Sequence, residues 1–302
     1  MKYLLNLDRV HKEYTNLIAV NQISFKVPES CIFGLLGPNG AGKTSLIRII
    51  TGITQPDSGT VKFNDQIINS AVNSSIGYMP EERGLYKKMT VGEQLIYLCR
   101  LKGLSKADAN KSVTHWVEKF EIQSWWNKKI EELSKGMSQK VQFIATIAHN
   151  PKLIILDEPF SGLDPINTNL IKDEIIELKN QGASIIFSTH RMEQVEELCE
   201  EIVLVNKGKN VLSGPVKEIR EKYKENLFQI ETDRPINDEL NTEWNIVQKL
   251  GLSTIIRIKE NQSSNQFLSR VINDGLNILS FHEVLPTFND IFIRTVNEAN
   301  HE

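Results

Sequence analysis

The feature that most constrains this chain is a glycine-rich segment near its beginning, Gly37-Pro38-Asn39-Gly40-Ala41-Gly42-Lys43-Thr44. Apolar residues 31–36 before it indicate a buried strand, and residues 45–50 after it indicate a helix that ends before Gly52. Two glycines five positions apart, followed by a lysine and a hydroxyl residue, fit the spacing of a phosphate-binding loop. The segment therefore predicts a strand–loop–helix unit that binds a nucleoside triphosphate.

The chemistry of these residue types supports that prediction. Glycines let the backbone curl so that successive N–H groups face phosphate oxygens, and the N-terminus of the following helix attracts the same anion. Lys43 brings a positive charge to the β- and γ-phosphates, while the Thr44 hydroxyl can ligate Mg²⁺. A chance turn that ends in Lys-Thr is the alternative, and the flanking strand and helix disfavour it. The predicted nucleotide contacts in this segment are Gly37, Pro38, Asn39, Gly40, Ala41, Gly42, Lys43, Thr44 and Ser45.

Composition limits the other classes of function. With 302 residues, the chain is long enough for one large domain and one smaller domain. Its formal net charge of −3 lacks the basic excess typical of nucleic-acid partners, so we expect no nucleic acid. Three cysteines, far apart and outside any metal spacing, indicate a reducing compartment. No apolar run approaches the ~20 residues of a membrane span, and nothing resembles a secretory signal. We therefore expect a cytoplasmic protein.

Hydrophobic periodicity predicts an α/β fold with a mixed or parallel sheet. Strands and helices alternate through residues 1–222, with a helical subdomain over about residues 82–150, where three tryptophans are predicted to pack. Residues 223–302 predict a small α+β accessory domain. The predicted strands span 3–10, 22–27, 31–36, 60–63, 75–79, 153–156, 184–187, 227–231, 253–259 and 277–284, with a hairpin over 201–212. The predicted helices span 45–50, 91–101, 111–120, 139–149, 167–180, 264–274 and a stretch from about 286.

Two acids, Asp157 and Glu158, close the apolar strand of residues 153–156. An aspartate at such a strand end can hold Mg²⁺, and the neighbouring glutamate can polarise an attacking water. The alternative is a pair of surface acids without a role, which the phosphate loop disfavours. We expect this strand to lie beside the loop strand, so that both acids reach the terminal phosphate.

Further motifs follow along the chain in a fixed order. They are Leu133-Ser134-Lys135-Gly136-Met137, a variant of Leu-Ser-Gly-Gly-Gln; Ser161-Gly162-Leu163-Asp164, similar to a D-loop; and His190, at the position of a switch histidine. With the phosphate loop and the two acids, they resemble the ATP-binding cassette (ABC) family over about residues 1–220. The resemblance implies the cassette form of the P-loop NTPase fold, with ATP and Mg²⁺ as cofactors and ATP hydrolysis as the reaction.

The resemblance also implies roles for individual residues within one chain. Lys43, Glu158 and His190 would act in catalysis, and His190 would contact the γ-phosphate. Thr44 and Asp157 would hold the metal ion. For Tyr14, stacking on the nucleotide base and packing in the core are equally open from the residues alone, and the resemblance favours stacking.

Other roles that the resemblance implies need a second subunit. Ser134 and Gly136 begin a predicted helix, and in this family that end reaches the γ-phosphate held by the opposite subunit. Asp164 would also contact the nucleotide. The implied partner is a second copy of the chain, as a homodimer, or a paralogous ATPase.

The resemblance implies the ATPase subunit of a transporter, which dimerises on ATP and powers a separate integral-membrane permease from the inner face of the membrane. Residues 82–100 would face that permease. Residues 81–86 and 133–137 resemble a subgroup with a small C-terminal domain that is linked to export, including sodium-exporter-like systems. The alternative is a soluble cassette ATPase that acts on ribosomes or DNA, although such proteins usually carry two cassettes or a long coiled coil. A GTPase is disfavoured because Asn-Lys-x-Asp is missing, and a dinucleotide enzyme because the loop lacks Gly-x-Gly-x-x-Gly.

Glu81 stands where the family usually has a glutamine that contacts the nucleotide and Mg²⁺. A carboxylate can still ligate the metal, but it repels phosphate more than an amide does. We therefore expect Glu81→Gln to change the Mg²⁺ dependence of ATP hydrolysis while the reaction itself is retained. The measurement is a Mg²⁺ titration of the ATPase rate in both proteins. Superimposable titrations would contradict a role of Glu81 at the metal.

Overall fold

The computed structural model describes residues 2–68, 74–82, 84–236, 244–259 and 262–301. Arg83, within the segment predicted to face a permease, lies outside these ranges. The chain divides into two compact units. The first contains the chain up to Val216 together with the residues from Thr295 onward, and the second contains Lys217–Arg294.

Two sheets form the framework of the first unit. An antiparallel sheet has the order β2 (Leu17–Pro28), β1 (Tyr3–Tyr14), β4 (Ser58–Phe63) and β5 (Gln66–Ile67). A six-stranded sheet has the order β10 (Lys209–Pro215), β9 (Glu201–Asn206), β3 (Ile32–Leu36), β8 (Ser184–Ser188), β7 (Leu153–Asp157) and β6 (Ile76–Met79). Its neighbours pair in parallel except β9 and β10, which are antiparallel. The sheet is therefore mixed, as predicted.

The helices of the first unit follow the strands in the predicted alternation. They are α1 (Lys43–Ile50), α2 (Val91–Leu101), α3 (Lys106–Lys119), α4 (Lys135–Ile147), α5 (Pro165–Asn180), α6 (Met192–Leu198) and α7 (Val216–Lys222), the last beginning at the end of this unit. Strands β3, β7 and β8 are buried along their whole length, which is why each one contains an unbroken apolar run in the sequence. Their side chains join those of α1 and the antiparallel sheet in one large core.

Helices α2, α3 and α4 occupy the segment predicted to be helical. Thr90 and Glu93 form a capping box that starts α2, because the Thr90 hydroxyl accepts from the Glu93 N–H at 3.3 Å and the Glu93 carboxylate accepts from the Thr90 N–H at 3.0 Å. The Trp126 ring lies so close to Gly92 that a Cβ added there would be 2.4 Å from it. The packing predicted for Trp126 is confirmed.

The second unit contains a four-stranded antiparallel sheet and helices. The strand order is β12 (Asn245–Leu250), β13 (Ser253–Arg257), β11 (Leu227–Thr232) and β14 (Ile278–Val284). Helix α8 (Ser264–Asn273) contributes Phe267 and Val271 to a core that includes Trp244 and Ile256. Helix α9 (Phe288–His301) ends with residues that belong to the first unit. The α+β character predicted for this part of the chain is confirmed.

The structure differs from the sequence predictions at a few elements. The sequence analysis predicted that β7 lies beside β3, and this is wrong. Strand β8 pairs with both strands and separates them. Helix α3 begins at Lys106, before the predicted start at residue 111, because the Ser105 hydroxyl caps its first turn by accepting from the Asp108 N–H at 3.1 Å. Helix α6 has 7 residues, too few for a clear period, and β12 is almost wholly exposed and therefore lacks an alternating pattern.

Gly77 provides a test of how tightly β6 packs on α4. A Cβ at this position would lie 2.3 Å from the carbonyl oxygen of Thr146 in α4. We expect Gly77→Ala to destabilise the folded state by about 1–3 kcal/mol, because backbone atoms must move apart. The measurement is the thermal unfolding midpoint. In Gly84→Ala the new methyl would meet only Pro80 Cγ at 3.8 Å, so this control should change stability by less than about 0.5 kcal/mol. Equal midpoints for the two variants would contradict the close contact.

Candidate nucleotide-binding and catalytic site

The phosphate loop connects β3 to α1 and lies against the backbone of neighbouring strands. Gly42, which caps α1, has a φ of 110°, and a Cβ there would be 2.2 Å from the carbonyl oxygen of Ala19 in β2. A Cβ on Gly37 would be 2.2 Å from the carbonyl oxygen of Val205 in β9. Only glycine fits at these two positions, because the first needs a left-handed backbone and both need close approach. The loop is therefore built by its glycines, as the motif predicts.

Lys43 begins α1, and its side chain returns over the loop. Its ammonium donates to the carbonyl oxygens of Gly37 at 2.7 Å and of Pro38 at 3.0 Å. Burial lowers the pKa of Lys43, and the carboxylates of Asp157, Glu158 and Glu81 oppose that change. The lysine charge thus lies within electrostatic reach of all three predicted acids. Thr44 is exposed in the first turn of α1, and Ser45 follows it, half-buried.

Asp157 is the last residue of β7 and is buried at the carboxyl edge of the sheet. Burial raises its pKa, and the neighbouring carboxylates of Glu81 and Glu158 raise it further, while Lys43 has the opposite effect. Several carboxylates near one lysine form a donor set that suits a divalent cation with oxygen ligands. Within the described ranges, no group of three or more His, Cys, Asp or Glu side chains could hold a metal ion by itself. This donor set fits Mg²⁺, which usually takes one or two carboxylates together with substrate phosphates.

The carboxylate of Glu158 is held by hydrogen bonds from the end of β8. Its carboxylate oxygen Oε1 accepts from the His190 N–H at 2.8 Å and lies 2.7 Å from His190 Nδ1. The other oxygen, Oε2, accepts from the Thr189 hydroxyl at 3.3 Å. These contacts follow from the sheet, because β7 and β8 are parallel with Asp157 opposite Ser188, so both strands deliver their next residues to one edge. The structure thus brings Glu158 and His190 together.

Sequence reasoning missed three residues that support this edge. Thr189 contacts Glu158 directly, and its place before His190 at the end of β8 was the available signal. Gln139 and Gln142, both buried on α4, donate to backbone carbonyl oxygens of the loops after β7 and β6. Pro80, whose carbonyl oxygen accepts from Gln142 at 2.8 Å, directly precedes Glu81. No local pattern identifies these glutamines, because their partners are distant in sequence.

Tyr14 lies at the end of β1 with 38% of its surface exposed. The ammonium of Lys12 is 5.5 Å from the centre of its ring. Core packing, one of the two interpretations left open by the residues, is therefore wrong for this side chain. Its stacking on a nucleotide base stays a prediction.

Ser134, Gly136 and Asp164 lie at the starts of α4 and α5. The Ser134 hydroxyl caps α4 by accepting from the Met137 N–H at 3.2 Å, and the Asp164 carboxylate caps α5 by accepting from the Asn167 N–H at 2.9 Å. A Cβ on Gly136 would lie 3.4 Å from the Gly162 carbonyl oxygen. In the described part of the chain, no hydrogen bond or ion pair joins these three residues to the phosphate loop. Their contact with a nucleotide stays a prediction.

A glycine loop between β3 and α1, with acids at the ends of neighbouring parallel strands, defines a P-loop nucleotide-binding fold. Comparison with known proteins narrows this class. The model of the family "ABC transporter" matches residues 20–161, and that of the "ATP-binding protein DrrA1-3-like, C-terminal domain" matches residues 214–296.

Individual relatives agree with these matches. The chain is 42% identical over 294 residues to the uncharacterized ABC transporter ATP-binding protein YhaQ of Bacillus subtilis. The aligned region covers 97% of this chain and 98% of that protein. It is 33% identical over 214 residues to the linearmycin resistance ATP-binding protein LnrL of the same organism, covering 70% of this chain and 69% of that protein. A solved structure of an ATP-binding subunit of an ABC transporter superposes with a TM-score of 0.69 at 29% identity, covering 73% of this chain and 93% of that one.

The chain therefore belongs to the ATP-binding proteins of ABC transporters. It is the nucleotide-binding, ATP-hydrolysing subunit of such a system, as the motifs predicted. Among the residues that the structure describes, no helix is both long enough and apolar enough to cross a bilayer.

Proposed function

We propose that the chain hydrolyses ATP with Mg²⁺ to drive a separate membrane permease that exports its substrate. Residues 1–222 would form the cassette and residues 223–302 an accessory domain. The convergence of Lys43, Asp157 and Glu158 at one edge of the sheet carries this proposal. Relatives named for linearmycin resistance and for Nod factor export support the direction of transport. The chain would lie on the inner face of the cell membrane through its contact with the permease.

Each residue at the sheet edge has a distinct part in the proposed reaction. The loop N–H groups and Lys43 bind the β- and γ-phosphates of ATP, with Tyr14 against the base. Thr44, Asp157 and Glu81 would hold Mg²⁺, which neutralises charge on the phosphates when bound. Glu158 orients a water toward the γ-phosphorus and accepts its proton. His190 holds the Glu158 carboxylate through its ring and its backbone N–H, and both bonds restrict that carboxylate to one orientation.

A second subunit would complete the site. Ser134, Gly136 and Asp164 have no bond to the phosphate loop of their own chain in the described residues, although Ser134 begins a helix whose N–H groups suit a phosphate. A head-to-tail pair of chains, or this chain with a paralogous ATPase, brings that helix end to the partner's nucleotide. ATP bound between two subunits then favours the closed pair, and hydrolysis releases it.

Glu158→Gln tests the reaction and the pairing together. We expect turnover to fall by about a hundredfold or more, because the amide cannot accept a proton, with ATP binding retained. Phosphate release measures turnover, and size-exclusion chromatography with ATP and Mg²⁺ should detect an accumulated dimer. Glu118→Gln, which changes an exposed acid on α3, is the control and should behave as wild type. Wild-type turnover in Glu158→Gln would contradict the role of Glu158 in activating the water. A variant that binds ATP but stays monomeric would contradict a site shared between two subunits.

A groove of about 600 Å³ in the first unit is our proposed permease contact. It runs between the end of α2, the second half of α4 and the segment after α1, and its surface is mainly apolar. Ile53 and Leu101 line it with 65% and 62% of their surfaces exposed. Gln142 Oε1 and His149 Nδ1 are buried in its lining without a hydrogen-bond partner among the described residues. An amphipathic helical segment of a permease fits such a groove, because it can cover the apolar rim and supply polar partners to both atoms.

Single glutamate substitutions in this groove test the proposed partner. We expect Ile53→Glu and Leu101→Glu to reduce co-purification of a co-expressed permease by about tenfold or more, because a charge would be buried on docking. The control is Ile67→Glu, at a residue that is 63% exposed on β5 and does not line the groove. All three variants should keep the ATPase rate of the isolated chain. Equal recovery of the permease with groove and control variants would contradict docking at this site.

A further inference from the structure

Glu158 has a backbone conformation that an L-amino acid rarely adopts. Its φ is 50°, in the left-handed region, although it is neither glycine nor asparagine. Such a residue persists only when its surroundings hold it in place. Because the direction of the Cα–Cβ bond follows from the backbone, whatever holds this conformation also aims the carboxylate.

Backbone and side-chain bonds together hold Glu158 and the next residue. The Glu158 N–H donates to the Ser188 carbonyl oxygen at 2.9 Å, and its own carbonyl oxygen accepts from the Ser161 N–H at 3.1 Å. The side-chain amide of Gln139 adds two bonds from one nitrogen, Nε2. It donates to the carbonyl oxygen of Glu158 at 3.3 Å and to that of Pro159 at 2.9 Å.

We propose that Gln139 is a positioning residue for the hydrolysis of ATP, acting through the backbone of Glu158 and Pro159. The inference rests on the proposed role of Glu158 as the group that activates water. One amide nitrogen that bridges two consecutive carbonyl oxygens fixes the relative orientation of their peptide planes. That orientation restricts φ and ψ of Pro159. The bond to the Glu158 carbonyl oxygen holds the peptide plane after Glu158, and the bond from the Glu158 N–H to Ser188 holds the plane before it, so together they restrict φ and ψ of Glu158 and therefore the position of its carboxylate.

The burial of Gln139 shows why an apolar residue cannot replace it without consequence. The side chain is 4% exposed on α4, among residues that mostly pack in the core. If the Gln139 side chain had no N–H groups, the Glu158 carbonyl oxygen would keep the bond from the Ser161 N–H. The Pro159 carbonyl oxygen would lose the bond that Gln139 supplies. A carbonyl left unpaired in a buried site favours any rotation that restores a partner, and here that rotation moves the catalytic side chain.

The far end of the same loop also contacts α4. The aliphatic part of the Lys135 side chain lies over Gly162, where an added Cβ would be 2.4 Å from Lys135 Cδ. Gly136 faces the Gly162 carbonyl oxygen and the Leu163 side chain. The first turns of α4 thus contact the loop from Glu158 to Leu163 at both ends, with Gln139 at the end that carries the catalytic acid. A displacement of the α4 start would be transmitted to Glu158 through the Gln139 amide.

The first experiment compares the kinetics of Gln139→Met in the full chain with those of a matched control. Methionine keeps the length of glutamine and removes its donors. We expect kcat to fall by about ten- to hundredfold, because the Glu158 carboxylate is displaced, with KM for ATP within about twofold of wild type. Gln94→Met is the control, since Gln94 is also a fully buried helical glutamine but its Oε1 accepts from the Tyr86 N–H, away from Glu158. It should change kcat by less than about twofold. Equal losses in the two variants would overturn the proposal.

The second experiment asks whether Gln139 acts through Glu158. In a Glu158→Gln background, Gln139→Met should reduce single-turnover hydrolysis by less than about twofold, because the group that it positions is already inactive. A further loss as large as that in the wild-type background would show a general structural effect and would overturn the proposal. Gln139→Glu, which keeps the shape and replaces the donor with an acceptor, should reproduce the kcat loss if Gln139→Met does not fold. Wild-type turnover in Glu158→Gln alone would instead overturn the proposed role of Glu158, and the inference with it.

Discussion

A lysine that is partly removed from water and faces several carboxylates dominates the chemistry of this protein. The ammonium of Lys43 interacts electrostatically with the carboxylates of Asp157, Glu158 and Glu81. Burial lowers the pKa of Lys43 and raises the pKa of Asp157. Both changes have the same physical origin, which is the cost of keeping a charge in a low-dielectric environment. The phosphates of a nucleotide can pair with the Lys43 ammonium, and the proposed metal ion would pair with the carboxylates.

This arrangement depends on the six-stranded sheet. Parallel strands β3, β8 and β7 all end at one edge. The phosphate loop therefore reaches the same place as the two acids and His190, which lie more than a hundred residues further along the chain. Because β8 separates β3 from β7, the Thr189-His190 pair lies where it can contact Glu158. The observed strand order, which differs from the predicted one, is the reason why this contact exists.

Support from outside the sheet determines how the acids are oriented. Helix α4 carries two buried glutamines three residues apart, one donating to the loop after β7 and the other to the loop after β6. The first of these loops begins with Glu158 and the second with Pro80, directly before Glu81, so one helix restrains the backbone next to both acids. The helix also lines the groove proposed for the permease. A partner that displaces α4 can therefore change the geometry at the site without touching a nucleotide.

The sequence by itself determined the class of the fold and most of its elements, and it predicted which residues are chemically active. It could do so because a phosphate loop needs glycines, a lysine and a hydroxyl residue at a local spacing, and because buried parallel strands are continuous apolar runs. Only the tertiary structure decided that Gln139 and Thr189 support Glu158, that β8 lies between β3 and β7, and that Tyr14 is exposed. Each of these depends on which segments meet across long sequence separations. Strand order and side-chain pairing are properties of the folded chain, and no local pattern of residue types records them.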